Sequence, residues 1–384
     1  MKILIVMTGF FPGQKFGGPP VSVDNFCTLM NEHDCYIITR NHDMGSKETY
    51  TTISDGWNDR GNCKVLYLSD KNYGYHYYEK VIKEVEPDII YLQGLFQNCI
   101  IPCLMLAKRY HIAILLAPRG ELCAGAFKKK YKKIPYIIFL NVFRLLDKVH
   151  FQSTSDEETE SIKKYLSVEL RRIHLLSNIP SIPKSRELIV DKKPGCAKFI
   201  FLSRIVAKKN LISAINYMFH VHGNVEFDVY GSLEDKQYWN ECEKQAKALP
   251  DNIKVVYKGT IDHDSVHDTF KKYDAFLFPT YSENYGHVIA EALMVGCPVI
   301  ISDQTPWTDV VNTKGGWSIP LDRPEAFIAA IQDIIDADNS TEVQYKKNII
   351  KYVDQKMDLV RLRDSYYNSL WAVVRERKGS VKDV

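Results

Sequence analysis

Two glutamates, Glu283 and Glu291, share the segment DAFLFPTYSENYGHVIAEALMVGCPVIISD from Asp274 to Asp303. Its pattern predicts a strand, a loop, a helix closed by Gly296 and a further strand opened by Pro298. Glu283 falls in the loop and Glu291 one turn into the helix. Between them Asn284, Tyr285 and Gly286 lead to a helix start at His287, where unpaired N–H groups and the helix dipole favour an anion or a row of sugar hydroxyls. A ligand at the carboxyl end of the strand would meet both carboxylates. The plainer alternative for Glu291 is an acidic residue that only offsets the helix dipole.

A second constellation is FIFLSRIVAKKN, in which a strand from Phe199 ends at Arg204 and a helix begins near Asn210, leaving Lys208 and Lys209 at its start. Cations at a strand's carboxyl end suit a diphosphate in an open α/β sheet, although lysine-rich loops are usually only solvated. After the first strand, Gly17-Gly18-Pro19-Pro20 allows close backbone approach to a ligand or makes a plain turn. Neither G-x-G-x-x-G nor a P-loop occurs, which argues against a dehydrogenase or an NTPase. The triplets Asp262-His263-Asp264 and Asp336-Ala337-Asp338 could hold a divalent ion, but helix capping explains them as well. With Arg204 and Lys209 available for phosphate, no metal and no other cofactor is expected.

These groups need elements to hold them. Short apolar runs at 2–7, 35–39, 64–68, 88–92, 113–117 and 149–152 alternate with helical stretches, and a second series follows at 198–203, 226–230, 253–257, 275–279 and 298–302. Such alternation predicts parallel strands with crossover helices, hence α/β units covered on both faces. A chain of 384 residues fits two such domains. The proline-containing stretch NIPSIPKSRELIVDKKPG, 178–195, reads as the connection. The expected division is 1–178, a linker 179–195, a second domain 196–358, and a helix over 359–384 with Leu362, Tyr366, Ser369, Leu370 and Val373 near one face.

Composition narrows the class. A formal net charge of +3 is too small to point to nucleic acid, and no run of 18 apolar residues suggests a membrane span. Nine cysteines without a C-x-x-C pair read as core thiols in a reducing compartment, with Cys99 and Cys103 packed rather than metal-binding. Lys128, Lys129, Lys130, Lys132 and Lys133 precede the apolar IPYIIFLNVFRLLDK. The stretch is either an amphipathic helix packed on the N-terminal domain or a surface that rests on anionic lipid.

The segment from Ser282 to Pro298 resembles the E-x7-E signature of retaining glycosyltransferases of family 4, including the EAL…G-x-PVI continuation. The resemblance implies the GT-B fold: two Rossmann-like domains facing across a cleft, with the C-terminal helix crossing back to the first. It implies that Glu291 binds the ribose of a donor nucleotide, while Glu283 and the backbone of Asn284, Tyr285, Gly286 and His287 address the donor sugar. Arg204 and Lys209 match the family's diphosphate-binding arginine and lysine, with Asn210 replacing the glycine that commonly follows. Gly17 and Gly18 are similar to the family's glycine loop for donor phosphates and sugar. The stretch APRGELCAGAFKKK looks like the P-R-G loop of a bacterial polysaccharide-building branch, making Arg119 a candidate sugar or acceptor contact. Gln93 stands where that branch often carries a histidine, so no catalytic histidine is transferred.

The activity so implied is transfer of a hexose-type sugar, with retention, from a UDP- or GDP-linked donor to a hydroxyl of a glycan or polyprenyl-linked acceptor. The expected setting is surface polysaccharide assembly, in the cytoplasm or on the inner face of the cytoplasmic membrane. A nucleotide-sugar epimerase or hydrolase on the same plan would consume donor without an acceptor. A non-catalytic sugar-nucleotide-binding protein would keep the binding residues and lose only the chemistry.

Overall fold

The apolar runs become strands in a computed structural model that describes residues 1–13, 15–123 and 130–382. In chain order the first series is β1 (Lys2–Val6), α1 (Gly18–Leu29), β2 (Asp34–Arg40), β3 (Trp57–Asp59), β4 (Lys64–Leu68), α2 (Tyr75–Val85), β5 (Ile89–Gln93), α3 (Ile100–Tyr110), β6 (Ala113–Ala117), α4 (Lys130–Val142), β7 (Val149–Ser153), α5 (Asp156–Leu166) and β8 (Ile173–Leu175). The second series is β9 (Cys196–Leu202), α6 (Leu211–Tyr217), β10 (Asn224–Tyr230), α7 (Lys236–Ala246), β11 (Ile253–Gly259), α8 (Val266–Phe270), β12 (Ala275–Phe278), α9 (His287–Met294), β13 (Val299–Ser302), β14 (Gly316–Ile319), α10 (Pro324–Asp336) and α11 (Asn339–Lys356). A long helix, α12 (Leu359–Lys382), ends the described chain.

Two units result, Met1–Ile179 with Leu359–Val384, and Pro180–Asp358. The first unit's sheet has the order β3-β4-β2-β1-β5-β6-β7-β8, parallel except where β3 meets β4. The second is all parallel, β11-β10-β9-β12-β13-β14, with Ala275 opposite Phe199 and Phe276 opposite Ile200 in the β9–β12 pairing. Strands buried on both faces need no polar alternation, which is why they read as continuous apolar runs. Phe199, Phe201, Phe227, Phe276 and Phe278 are fully buried between the helical layers of the second unit.

Strand order reverses at β9/β12, and open α/β sheets bind ligands outside the carboxyl ends at such a point. The two motif loops leave the sheet there, one after Leu202 and the other after Phe278.

Part of the stretch read as a connection is built into the second unit. Lys192 is buried, its ammonium 3.4 Å from Asp274, and Gly195 N–H donates to Ile335 O at 2.9 Å. The final helix packs in the first unit through Tyr366, Leu370, Val373 and Val374. Gln152 Nε2 donates to the Tyr366 hydroxyl at 2.8 Å, and that hydroxyl donates to Ser177 O at 2.9 Å. Three strands had no apolar run to announce them: β3 and β8 are three residues long, and β14, GWSI, follows Gly315, opens on Gly316 and carries a serine. Cys99 and Cys103 are buried in the core of the first unit. Lys128 and Lys129 of the basic run lie outside the described residues.

Candidate functional site

The loop after β9 passes Arg204 and tightens into a 3-10 turn, Ala207–Lys209, that ends on Asn210 with φ 59°. This is the left-handed region, which asparagine tolerates better than most residues other than glycine. The replacement of glycine noted at this position therefore preserves a backbone conformation. The Asn210 side chain adds what glycine lacks: its Nδ2 donates to Pro279 O at 2.9 Å, and its Oδ1 accepts from Ser213 Oγ at 2.8 Å. Tyr281 N–H donates to Lys208 O at 3.0 Å. The loops after β9 and β12 are thus tied to each other.

Across this tie the Lys209 ammonium forms a hydrogen-bonded ion pair with Glu283 Oε1. Both side chains are largely hidden, at 11% and 14% exposure. Burial lowers the pKa of Lys209, and the Glu283 charge opposes that shift. Arg204 does not join the pair. It is more exposed, at 44%, and its Nη1 lies 3.2 Å from Glu234 Oε2 in the loop after β10. That loop opens with Gly231 at φ 139°, so close to β9 that an added Cβ would stand 1.7 Å from Ser203 O.

Beyond Glu283, whose N–H donates to Gln304 O at 2.9 Å, the chain runs through Tyr285 to Gly286, the cap of α9 at φ 75°. Trp307 Nε1 donates to Tyr285 O at 2.6 Å, and the Tyr285 ring packs edge-on against those of His287 and Trp307, with centroids 4.7 Å and 5.7 Å away. The turn that presents the start of α9 is therefore braced by an indole. Glu291, on α9, is 6% exposed, and burial pushes its carboxyl up to about 7. His263 Nδ1 stands 3.8 Å from Glu291 Oε1.

Sequence reasoning missed His263, Glu234 and Gly231. His263 was visible only as the middle of an Asp-His-Asp triplet. Gly231 had one usable signal, a glycine directly after the apolar alternation of β10. In the other triplet, Asp338 caps α11 by accepting from Thr341 N–H at 2.8 Å.

The remaining candidates lie in the other unit. Gly17, at φ 69°, caps α1, which begins at Gly18. Arg119, also left-handed at φ 55°, directs its guanidinium to groups of its own domain. Nε donates to Gln93 Oε1 at 2.8 Å, Nη1 to Asn178 Oδ1 at 3.0 Å and Nη2 to the Tyr91 hydroxyl at 3.3 Å. Glu158, buried on α5, fixes the same loop by accepting from Gly120 N–H at 2.6 Å. Lys133, last of the basic run, also turns to the domain, donating to Glu121 O at 2.9 Å and lying 4.5 Å above the Phe96 ring.

Residues 187–352 match the family model described as glycosyl transferases group 1. A curated relative, the GtfA subunit of a UDP-N-acetylglucosamine–peptide N-acetylglucosaminyltransferase from Streptococcus agalactiae, is 26% identical over an aligned stretch of 187 residues that covers 46% of this chain. The match spans about a third of that relative's length, 35%. Among solved structures, Anabaena HepE in complex with UDP and glucose has a TM-score of 0.69 at 15% identity, covering 97% of this chain and 100% of that one. A glycosyltransferase from Rickettsia africae has a TM-score of 0.70 at 13% identity, covering 97% and 98%. The chain therefore has the GT-B fold, and most of its second unit is similar to the glycosyl transferases group 1 family.

Proposed function

We propose that the chain is a retaining glycosyltransferase that moves a hexose-type sugar from a UDP-linked donor to a hydroxyl of a glycan or lipid-linked acceptor in surface polysaccharide assembly. The observation that carries this reading is the buried Lys209–Glu283 ion pair, set where strand order reverses in a glycosyl transferases group 1 domain. Structural neighbours bound to UDP and glucose or to UDP-2-fluoro glucose favour uracil as the base.

In this reading Glu283 holds Lys209 charged and aimed until the donor's diphosphate arrives. Arg204 and Lys209 then meet the charge that gathers on the diphosphate as the bond from the anomeric carbon to phosphate oxygen breaks. Such contacts strengthen as the reaction proceeds and so lower the barrier. Glu291 takes the ribose hydroxyls, and Glu283 with the backbone leading into α9 addresses the sugar. The acceptor oxygen bonds to the anomeric carbon on the face the diphosphate leaves, and its proton passes to the leaving phosphate oxygen. Arg204 and Lys209 supply the cationic charge that a divalent metal would otherwise bring.

The experiment is a thermal-shift screen of UDP- and GDP-sugars, followed by product analysis with candidate acceptors and NMR of the new anomeric centre. A stabilising UDP-hexose that yields a glycoside of retained configuration in EDTA is the expected result. Donor consumption without any acceptor product would instead mark an epimerase or hydrolase. Anionic lipid is the proposed surface on which the acceptor is met. Tyr131, Ile138, Val142 and Phe143 are exposed on and just after α4, in the segment that carries the basic run. No described helix is long and apolar enough to cross a membrane.

A further inference from the structure

A second concave site lies in the second unit, between the edge strand β14 and the start of α11, and shares no lining residue with the Lys209–Glu283 site. Its volume is about 710 Å³, within the roughly 300–1,000 Å³ of sites that enclose small organic ligands rather than a water or an ion. The fold builds it deliberately close. Gly315, at φ 102°, lets the chain entering β14 lie against α11, where a Cβ would stand 2.9 Å from Tyr345 Cβ. The pocket opens beside that contact.

The chemistry of the lining is selective. Two half-buried aromatic rings, Trp317 and Tyr345, meet at right angles with centroids 5.7 Å apart. Around them stand Asn312, Thr313, Ser318 and Gln344, all uncharged and able to donate and accept hydrogen bonds. The Ser318 hydroxyl is buried without a hydrogen-bond partner among the described residues. Lys314 is the single charged residue of the lining, and no carboxylate contributes to it. A metal cation or basic peptide would need acidic groups, and a polyanion would need several cations. A sugar ring needs what is present: an aromatic face for its C–H surface, whose partial positive charge complements the π-cloud, and neutral amides and hydroxyls for its rim.

We propose that this pocket is a binding site for a neutral oligosaccharide, separate from the site assigned to sugar transfer, and that it anchors a glycan chain through Trp317, Tyr345 and the surrounding amides and hydroxyls. The proposal does not rest on the transferase reading, because the pocket would bind glycan whether or not the other site reacts.

The test is calorimetry of the full chain with maltohexaose, cellohexaose and chitohexaose, beside an oligogalacturonate and an extended Thr-Val peptide. At least one neutral hexasaccharide binds, and Trp317→Ala weakens it about 10-fold, as expected for loss of a stacking face. Trp317→Phe retains most of the affinity. Asn312→Ala combined with Gln344→Ala, at exposed positions where folding is not at stake, weakens binding several-fold without changing the melting temperature. The proposal is overturned if no neutral hexasaccharide binds, if these variants bind as the parent does, or if the acidic sugar or the peptide binds instead. It is equally overturned if glycan binding disappears in Lys209→Ala/Glu283→Ala rather than in Trp317→Ala. Failure of UDP-sugar turnover leaves these outcomes unchanged, so the two readings are separable.

Discussion

Lys209 and Glu283 neutralise each other across the ends of β9 and β12, largely out of water. Removing one partner leaves the other hidden and uncompensated, which typically costs about 3–5 kcal/mol, whereas removing both costs far less. Lys209→Ala and Glu283→Ala should each lower stability by about 3 kcal/mol, and the double variant should recover most of it in urea melts. UDP binding should stay weak in every variant that lacks Lys209. A double variant no more stable than the singles would show that the pair contributes nothing as a pair.

The two glutamates should fail differently. On the proposed assignment, Glu291→Ala removes a charged contact to ribose, of roughly 1.5–3 kcal/mol, made equally before and during bond breaking. It should raise the donor KM and the Kd of free UDP about 10- to 150-fold, with kcat retained. Glu283→Gln keeps the shape but removes the charge proposed to lie beside a developing positive anomeric centre and leaves Lys209 without its counter-charge, so kcat should fall while UDP affinity changes less than in Glu291→Ala. Steady-state kinetics and UDP calorimetry on both variants check this. An unchanged kcat with lost UDP binding in Glu283→Gln would reverse the assignment.

Burial pushes the Glu291 carboxyl from its ordinary 4.5 up to about 7, so across that window the folded chain holds a proton that the unfolded chain releases. The resulting stability is fully present below about pH 4.5 and is lost as pH rises through about 7. At about 1.4 kcal/mol per pKa unit, the parent should lose about 3 kcal/mol relative to Glu291→Gln. Paired urea titrations between about pH 5 and pH 8 measure the difference. UDP affinity should rise over the same interval in the parent beyond whatever Glu291→Gln shows, because an ionised carboxylate is the better acceptor for the ribose hydroxyls proposed to bind there.

Gly231→Ala places a methyl group against Ser203 O in a backbone region that L-residues avoid. It should destabilise the second unit by at least about 2 kcal/mol and displace Arg204, weakening UDP as well. A variant with parental melting temperature and UDP affinity would remove the reason given for this glycine.

Replacing Lys128, Lys129, Lys130, Lys132 and Lys133 with serine should abolish salt-sensitive cosedimentation with anionic liposomes, since such attraction is screened over about 10 Å at 0.1 M salt. Tyr131→Ser with Ile138→Ser should reduce it independently. Equal cosedimentation of all variants would leave α4 without a lipid role.

The central strands of both sheets were legible because a strand buried on two faces has to be written in apolar residues, as AILLA and AFLF are, and β10 and β11 by their alternation. Strand β14 was not, since a sheet edge beside a polar pocket relaxes that demand. The types and spacing of Arg204, Lys209, Glu283 and Glu291 were legible as well. Their pairings were not. Glu234 and His263 arrive from the loops after β10 and β11, and a contact made through the fold leaves no local pattern. Arg119 was a candidate through the resemblance of its P-R-G loop, and its donors reach Gln93, Asn178 and Tyr91, all distant in sequence.

The first unit takes its last structural element from the far end of the polypeptide: Tyr366, Leu370, Val373 and Val374 fill the layer beneath Phe26 and Tyr91. A ribosome delivers residues 180–358 before it delivers that helix. The second unit can therefore finish folding while the first, though translated earlier, still waits with an uncovered apolar layer. During synthesis that waiting surface is exposed apolar area of the kind chaperones cover, and a frameshift near residue 360 would leave it open permanently.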